Sequence, residues 1–126
     1  MTLRQMLATV ALAVPLFALG HAAQAQSAAK YDGNWSVVVI TERGDCDRAY
    51  RYPVEVVRGK INYQSEAGIT ITGRVDGNGR LQASIRRGEQ HAEGNGRLGA
   101  TGGSGVWTGK DSIKECSGRW EAERRG

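Results

Sequence analysis

The sequence predicts an all-β domain, a small antiparallel eight-stranded meander closing into a barrel behind a cleaved export signal. Three observations carry that reading. Apolar residues in the middle of the chain recur at every second position. Polar, glycine-containing turns separate those runs at short and regular intervals. No stretch after residue 25 shows the three-to-four spacing of an apolar helix face.

The clearest segment begins at Ile69. Ile69, Ile71 and Val75 alternate with Thr70, Thr72 and Arg74, and Leu81, Ala83 and Ile85 alternate with Arg80, Gln82 and Ser84. A period of two gives each strand one apolar and one polar face. Asp76-Gly77-Asn78-Gly79 lies between the two runs. Its residues accept the positive φ that tight hairpin turns require.

The chain starts with a targeting signal. Met1-Thr2-Leu3-Arg4 is a short positive start, residues 6–19 are apolar, and Ala23-Gln24-Ala25 is a small-x-small cleavage site. Together these read as a secretory signal peptide, residues 1–25, leaving residues 26–126 as one domain. The apolar run is too short for comfortable spanning, and no later stretch is apolar for long enough to cross a membrane as a helix. An integral membrane protein is therefore not expected. Of the seventeen Lys and Arg, only Arg4 precedes residue 26, and none of the thirteen acids does. The mature charge is thus +3, with both signs interleaved, which does not point to nucleic acid. Both cysteines, Cys46 and Cys116, fall in the mature part. An even count in a small exported domain argues for a disulfide between them and for the periplasm or the exterior.

Residues 26–32 read as a loose lead-in. Strand one is residues 35–42, where Val37, Val38, Val39 and Ile40 make both faces apolar. Val37 and Val39 share a face with Trp35. Val38 and Ile40 lie on the other, where either a second copy in a homodimer or the chain's own lead-in or loop 99–104 would cover them. Strand two, residues 50–57, has Tyr50, Tyr52, Val54 and Val56 on one face and Pro53 on the other. Pro53 donates no backbone hydrogen bond, so this strand belongs at an edge, near a bulge, or with that position facing outward.

Arg58-Gly59-Lys60 turns into strand three, with Ile61 and Tyr63 inward, and the hairpin above supplies strands four and five. Strand six, residues 90–98, is thin, with Ala92, Gly94, Gly96 and Leu98 inward. Residues 99–104 read as the most flexible loop. Strand seven, residues 105–109, carries Trp107, and strand eight, residues 116–124, carries Trp120 and Ala122. Closure into a barrel removes the open edges that a flat sheet would expose. It also brings the first and last strands together where Cys46 and Cys116 stand.

Two short repeats cross these strands. Gly-Arg-apolar recurs at Gly73, Gly79, Gly96 and Gly118, and its arginines form a solvated outer face. Gly-x-Trp recurs at Trp35, Trp107 and Trp120 and marks tryptophans buried at one end of the sheet, with glycine leaving room for the indole. Catalytic chemistry is poorly supplied. His91 is the only histidine after the signal and has no nucleophile elbow. Asp76-Gly77-Asn78-Gly79 begins like a calcium loop, but Arg80 and Leu81 stand where a ligand and a glycine belong. Asp45 and Asp47 are explained by turn chemistry. Neither an enzyme nor a metal or other cofactor is expected.

Gly33-x-Trp35 opening strand one resembles the calycins, whose eight-stranded up-and-down barrels begin with this motif. The resemblance implies a basic residue of the last strand crossing over the indole, Arg124 or Arg119 here. The mature chain also resembles a set of small exported bacterial proteins without assigned function. The likeness rests on Tyr31-Asp-Gly-Asn-Trp-Ser36, Thr41-Glu-Arg-Gly-Asp-Cys-Asp47 and Cys116-Ser-Gly-Arg-Trp120. A haem-utilisation label sometimes given to such proteins fits poorly, because axial ligands are scarce. The resulting expectation is a binding or interaction module, taking a small apolar molecule at the barrel mouth or a polypeptide on a strand edge. Trp35, Tyr52, Tyr63, Trp107 and Trp120 are its candidate ligand or core aromatics. The alternative is a calycin-like periplasmic protease inhibitor, whose segment before Trp35 would enter a partner's cleft. That family is similar in size and has one disulfide, but with its cysteines closer in sequence than Cys46 and Cys116.

Overall fold

The structure, a computed structural model, describes Ala11 and residues 29–126. The expected export signal and its cleavage after Ala25 lie outside the described residues, Ala11 apart. Eight strands follow: β1 (Gly33–Arg43), β2 (Ala49–Val57), β3 (Lys60–Gln64), β4 (Thr70–Val75), β5 (Arg80–Arg87), β6 (Gln90–Leu98), β7 (Gly102–Lys110) and β8 (Glu115–Arg124). Each pairs antiparallel with the next, and β1 pairs with β8, so the sheet closes into a barrel in chain order. The expected all-β barrel is what the chain forms.

The alternating pattern sets the faces. Trp35, Val54, Val56, Ile61, Ile71, Val75, Leu81, Leu98, Trp120 and Ala122 are buried in one cluster, and Val37, Val39, Tyr52, Tyr63, Ala83, Ile85 and Trp107 pack against it half-buried. Most of the fully buried members come from the beginnings of β1, β3 and β5 and the ends of β2, β4, β6 and β8. The core therefore sits toward one end of the barrel, and each large side chain buried there contributes about 1.5–3 kcal/mol.

That end is closed by residues read from sequence as a loose lead-in. Tyr31 is 5 % exposed and belongs to the core. Its carbonyl accepts a hydrogen bond from the Trp35 indole at 2.9 Å. The Asp32 carboxylate accepts from the backbone N–H groups of Arg58 and Gly59 at 2.7 and 3.0 Å. It thereby fixes the β2–β3 turn, where Arg58 holds φ +53°. The Arg124 guanidinium lies 5.3 Å from the Trp35 ring centre. It donates to the Ala100 and Lys30 carbonyls at 3.0 and 3.2 Å and also to that of Asp32. Hydrophobicity averaged over 26–32 hid one buried tyrosine and one turn-capping acid.

Three further expectations need correction. Residues 102–104 are not loop but the start of β7, paired with Glu123, Ala122 and Glu121 of β8. Glycine gives no strand signal there, and tertiary pairing supplies the strand instead. At Asp76-Gly77-Asn78-Gly79 only Gly79 has positive φ, +84°. The Gly79 N–H donates to the Asp76 carbonyl at 3.0 Å, and the Asp76 carboxylate accepts from Asn78 N–H and Arg80 N–H at 2.9 and 3.0 Å. This is a three-residue hairpin turn, which demands one left-handed residue at its end. The tryptophans, finally, are spread along the barrel rather than gathered at one end.

Pro53 behaves as its chemistry requires. β2 and β3 are in register only at Val56↔Ile61 and Val57↔Lys60, while every other seam pairs five or more residues. Pro53 pairs with Ser36 of β1 and lies beyond the point where β2 parts from β3. Its missing N–H thus costs no ladder bond on that side. Val38 and Ile40 point outward and are half-buried. Val38 lies between Arg51 and Glu121, and Ile40 between Ala49 and Arg119. The Arg119 guanidinium is held by Glu42 at 3.4 Å and Glu121 at 3.7 Å. Neighbouring stems of this kind cover apolar surface without a second chain. Among the described residues no helix is long and apolar enough to cross a membrane.

Candidate functional site

The far end of the barrel is open. There the β1–β2, β3–β4, β5–β6 and β7–β8 connections surround a cavity of about 440 Å³. Below it lies a smaller space of about 70 Å³ within the barrel, and Val39, Tyr52, Ile85, Ala92 and Trp107 line both. Ligand cavities of small-molecule sites start at about 300 Å³, with apolar walls and a few polar groups at the opening.

Strand parity explains the wall. On β1, the face of Trp35 continues through Val37 and Val39 to Thr41. On β2, the face of Val54 continues to Tyr52 and Tyr50. Tyr50 and Tyr52 stack with centroids 6.1 Å apart, and Tyr52 meets the edge of Tyr63 at 6.5 Å across the parted β2–β3 seam. Trp107, on β7, sends its indole N–H to the Ile40 carbonyl at 2.9 Å, which fixes the ring across the inside of β8. Aromatic bodies held this way offer apolar area with little rotamer freedom left to lose.

Trp120 forms the floor between the two halves. Its indole N–H donates to the Asn95 carbonyl at 3.1 Å. A Cβ added at Gly105 would stand 2.5 Å from Trp120 Nε1, and one at Gly96 2.5 Å from its Cζ2. The glycines of β6 and β7 therefore make room for this ring, whereas Gly118, the glycine of its own Gly-x-Trp repeat, faces the backbone of Ile40 and Glu42 on β1. Trp35, at 2 % exposed, and Trp120, at 5 %, are core residues. Of the five candidate aromatics, Tyr52 and Trp107 reach the cavity and Tyr63 stands behind Tyr52.

The rim is polar. Tyr50 donates its hydroxyl to the Asp47 carboxylate, and that bond together with the nearby negative charge raises the phenol above its usual range. Burial, then the neighbouring Tyr63, raises Tyr52 likewise. Asp111 accepts from the N–H groups of Ile113 and Lys114 at 2.7 and 2.6 Å, which holds its carboxyl below the ordinary value. The Cys46–Cys116 disulfide spans Cα atoms 6.3 Å apart and ties the β1–β2 connection to the start of β8 at this rim. Closing a loop of 70 residues restricts the unfolded chain by about 4 kcal/mol. His91 lies 3.5 Å from Glu93 and is half-buried.

Sequence reasoning missed Tyr50 and Arg87 as rim residues, although parity contained both. Arg87 follows Leu81, Ala83 and Ile85 at alternate positions of β5 and is the last residue of that strand. Comparison with protein-family models, with curated proteins and with solved structures finds no match to this chain.

Proposed function

We propose that the protein is an exported binding module that takes a small, largely apolar molecule through the open mouth of its barrel. One observation carries this reading: the barrel is plugged at the Tyr31 end and hollow at the Tyr50 end, where half-exposed aromatic side chains line a cavity large enough for a ligand. The cavity wall, not a strand edge, is the favoured surface, because it gathers the aromatic rings, while the barrel's open strand edge is confined to the parted β2–β3 seam, where Pro53 lacks an N–H. An oxidising compartment, the periplasm or the exterior, agrees with the disulfide. The protease-inhibitor alternative has less in its favour. The described part of the segment before Trp35 is spent on the barrel itself, through Tyr31 and Asp32.

The neutral fluorophore N-phenyl-1-naphthylamine tests the proposal. The oxidised protein is expected to bind it saturably, one molecule per chain, with energy transfer from Trp107. Val39→Phe, placed where the two spaces join, is expected to weaken binding while leaving the thermal midpoint close to that of the parent. Absence of saturable binding to the folded, oxidised protein would refute the reading.

A further inference from the structure

The geometry points to an anionic head group on the ligand: the mouth takes an amphipathic molecule whose apolar body lies among the rings and whose acid group meets Arg87. This rests on the mouth being the binding site and adds the chemistry that selects what enters it.

Arg87 ends an inward-facing row on β5. The positions below it, Leu81, Ala83 and Ile85, fill the barrel, so the next residue of the same parity stands at the opening of the cavity it helps to line. Its cross-strand partner on β6 is Gln90, which is neutral. Its positive charge acts on the Tyr50 and Tyr52 hydroxyls of the opposite wall, pulling both phenols down against the effects that raise them. Arg87 is exposed at the rim of the cavity it lines, so an incoming head group can reach its guanidinium from solvent.

What surrounds Arg87 leaves it available. Two other cations, Lys110 and Lys114, share the rim with the acids Asp45, Asp47 and Asp111. Among the described residues, none of the three cations lies within 4.0 Å of a carboxylate. Asp47 is already accepting from Tyr50, and Asp111 from two backbone N–H groups of its own turn. Asp45 adjoins Cys46 on the β1–β2 connection. An arginine placed by the strand pattern over an aromatic cup, with the nearby acids mostly engaged, is arranged for an incoming carboxylate, sulfonate or phosphate. Its planar fork can meet such a group with two parallel hydrogen bonds.

A matched pair of probes separates this inference from the reading beneath it. 8-Anilinonaphthalene-1-sulfonate and N-phenyl-1-naphthylamine share the same rings and differ by the sulfonate. The oxidised wild-type protein is expected to bind the anion about tenfold more tightly than the neutral compound, a gap of about 1.4 kcal/mol. Arg87→Met is expected to remove most of that advantage with the neutral probe unchanged, and Arg87→Lys to keep part of it. Added salt is expected to narrow the gap. Equal affinities in the wild type, or an advantage untouched in Arg87→Met, would overturn the anionic head group while leaving the mouth as an apolar site. A cationic naphthylammonium probe that outcompetes both would overturn it in favour of the acids. Failure of both naphthalenes to bind would remove the mouth itself and this inference with it.

Discussion

Gly79→Ala is the substitution that most directly tests how the barrel is closed. Gly79 has φ +84°, in the left-handed region, and a side chain there costs about 1–2 kcal/mol. Space is also lacking. A Cβ at this position would stand 2.2 Å from the Leu98 carbonyl oxygen and 3.0 Å from the Tyr31 ring. The Leu98 N–H donates to the Gly79 carbonyl at 2.7 Å, so relief of the clash strains that bond, which is worth about 1 kcal/mol. Together these give about 2–3 kcal/mol, or a fall in thermal midpoint of about 10–20 °C for a domain of this size.

Gly77→Ala serves as the internal control, since Gly77 sits in the same turn without positive φ. Restricting the unfolded chain there makes the change neutral or slightly stabilising, within about 0.5 kcal/mol. Urea unfolding of the oxidised proteins, followed by tryptophan fluorescence, measures both. Equal effects at the two glycines, or a Gly79 variant as stable as the parent, would refute the turn geometry and the packing of Tyr31 against it.

The remaining expectations concern the rim, the acids and the outer face. Non-reducing mass spectrometry of the exported protein should give a mass two hydrogen atoms below that of the reduced form, and reduction should cost about 4 kcal/mol; two alkylatable thiols in the native protein would exclude the bridge. Asp76 and Asp111 have carboxyl groups lowered by backbone N–H donors. Their stabilisation is present above the unfolded carboxylate pKa of about 4 and is lost as pH falls through the lower folded values; Asp76→Asn with Asp111→Asn should therefore flatten the acid limb of the stability curve. With Val38 and Ile40 half-covered by their neighbours, light scattering should show a monomer at about 100 µM, since two residues fall far short of the roughly 1,000 Å² that a stable interface buries. A wild-type dimer that Val38→Thr with Ile40→Thr converts to monomer would restore the second copy.

The period of two in Ile69–Ile71 and Leu81–Ile85 made the barrel legible, because a half-buried strand writes its register into every second residue. Parity extended further than the composition did. It placed Tyr52, Tyr63, Trp107 and Trp120 inside from the sequence alone. What it could not give is depth along the barrel axis. Trp35 and Trp107 occupy the same face of their strands, yet one closes the barrel and the other lines its mouth. That difference is set by which neighbour arrives: Tyr31 and Arg124 cover Trp35, whereas nothing among the described residues covers Trp107 on the side of the cavity. Polar segments hid the rest. Tyr31 and Asp32 act through a single buried ring and a single carboxylate, which an average over seven residues dilutes, and the start of β7 consists of residues whose strand state comes only from β6 and β8.

The two ends of the barrel divide its tasks for a physical reason. A chain of this length buries a modest core, and filling all of an eight-stranded barrel requires large side chains at every inward position. Here β6 and β7 supply Ala92, Gly94, Gly96, Gly103, Gly105 and Gly109. Trp120 occupies the room left by Gly96 and Gly105 and completes the floor. Above it the Trp107 ring lies against Gly109 at the wall without filling the space, and the walls stand apart. A mouth left hollow forgoes packing that would otherwise hold β1, β2 and β8 together there, and β2 has already parted from β3 on the other side. The covalent bridge sits at that end, joining Cys46 beyond β1 to Cys116 at the start of β8, while the end closed by Tyr31, Trp35 and Arg124 has none. A cross-link stabilises without occupying volume, so it can offset the missing core while leaving the cavity free.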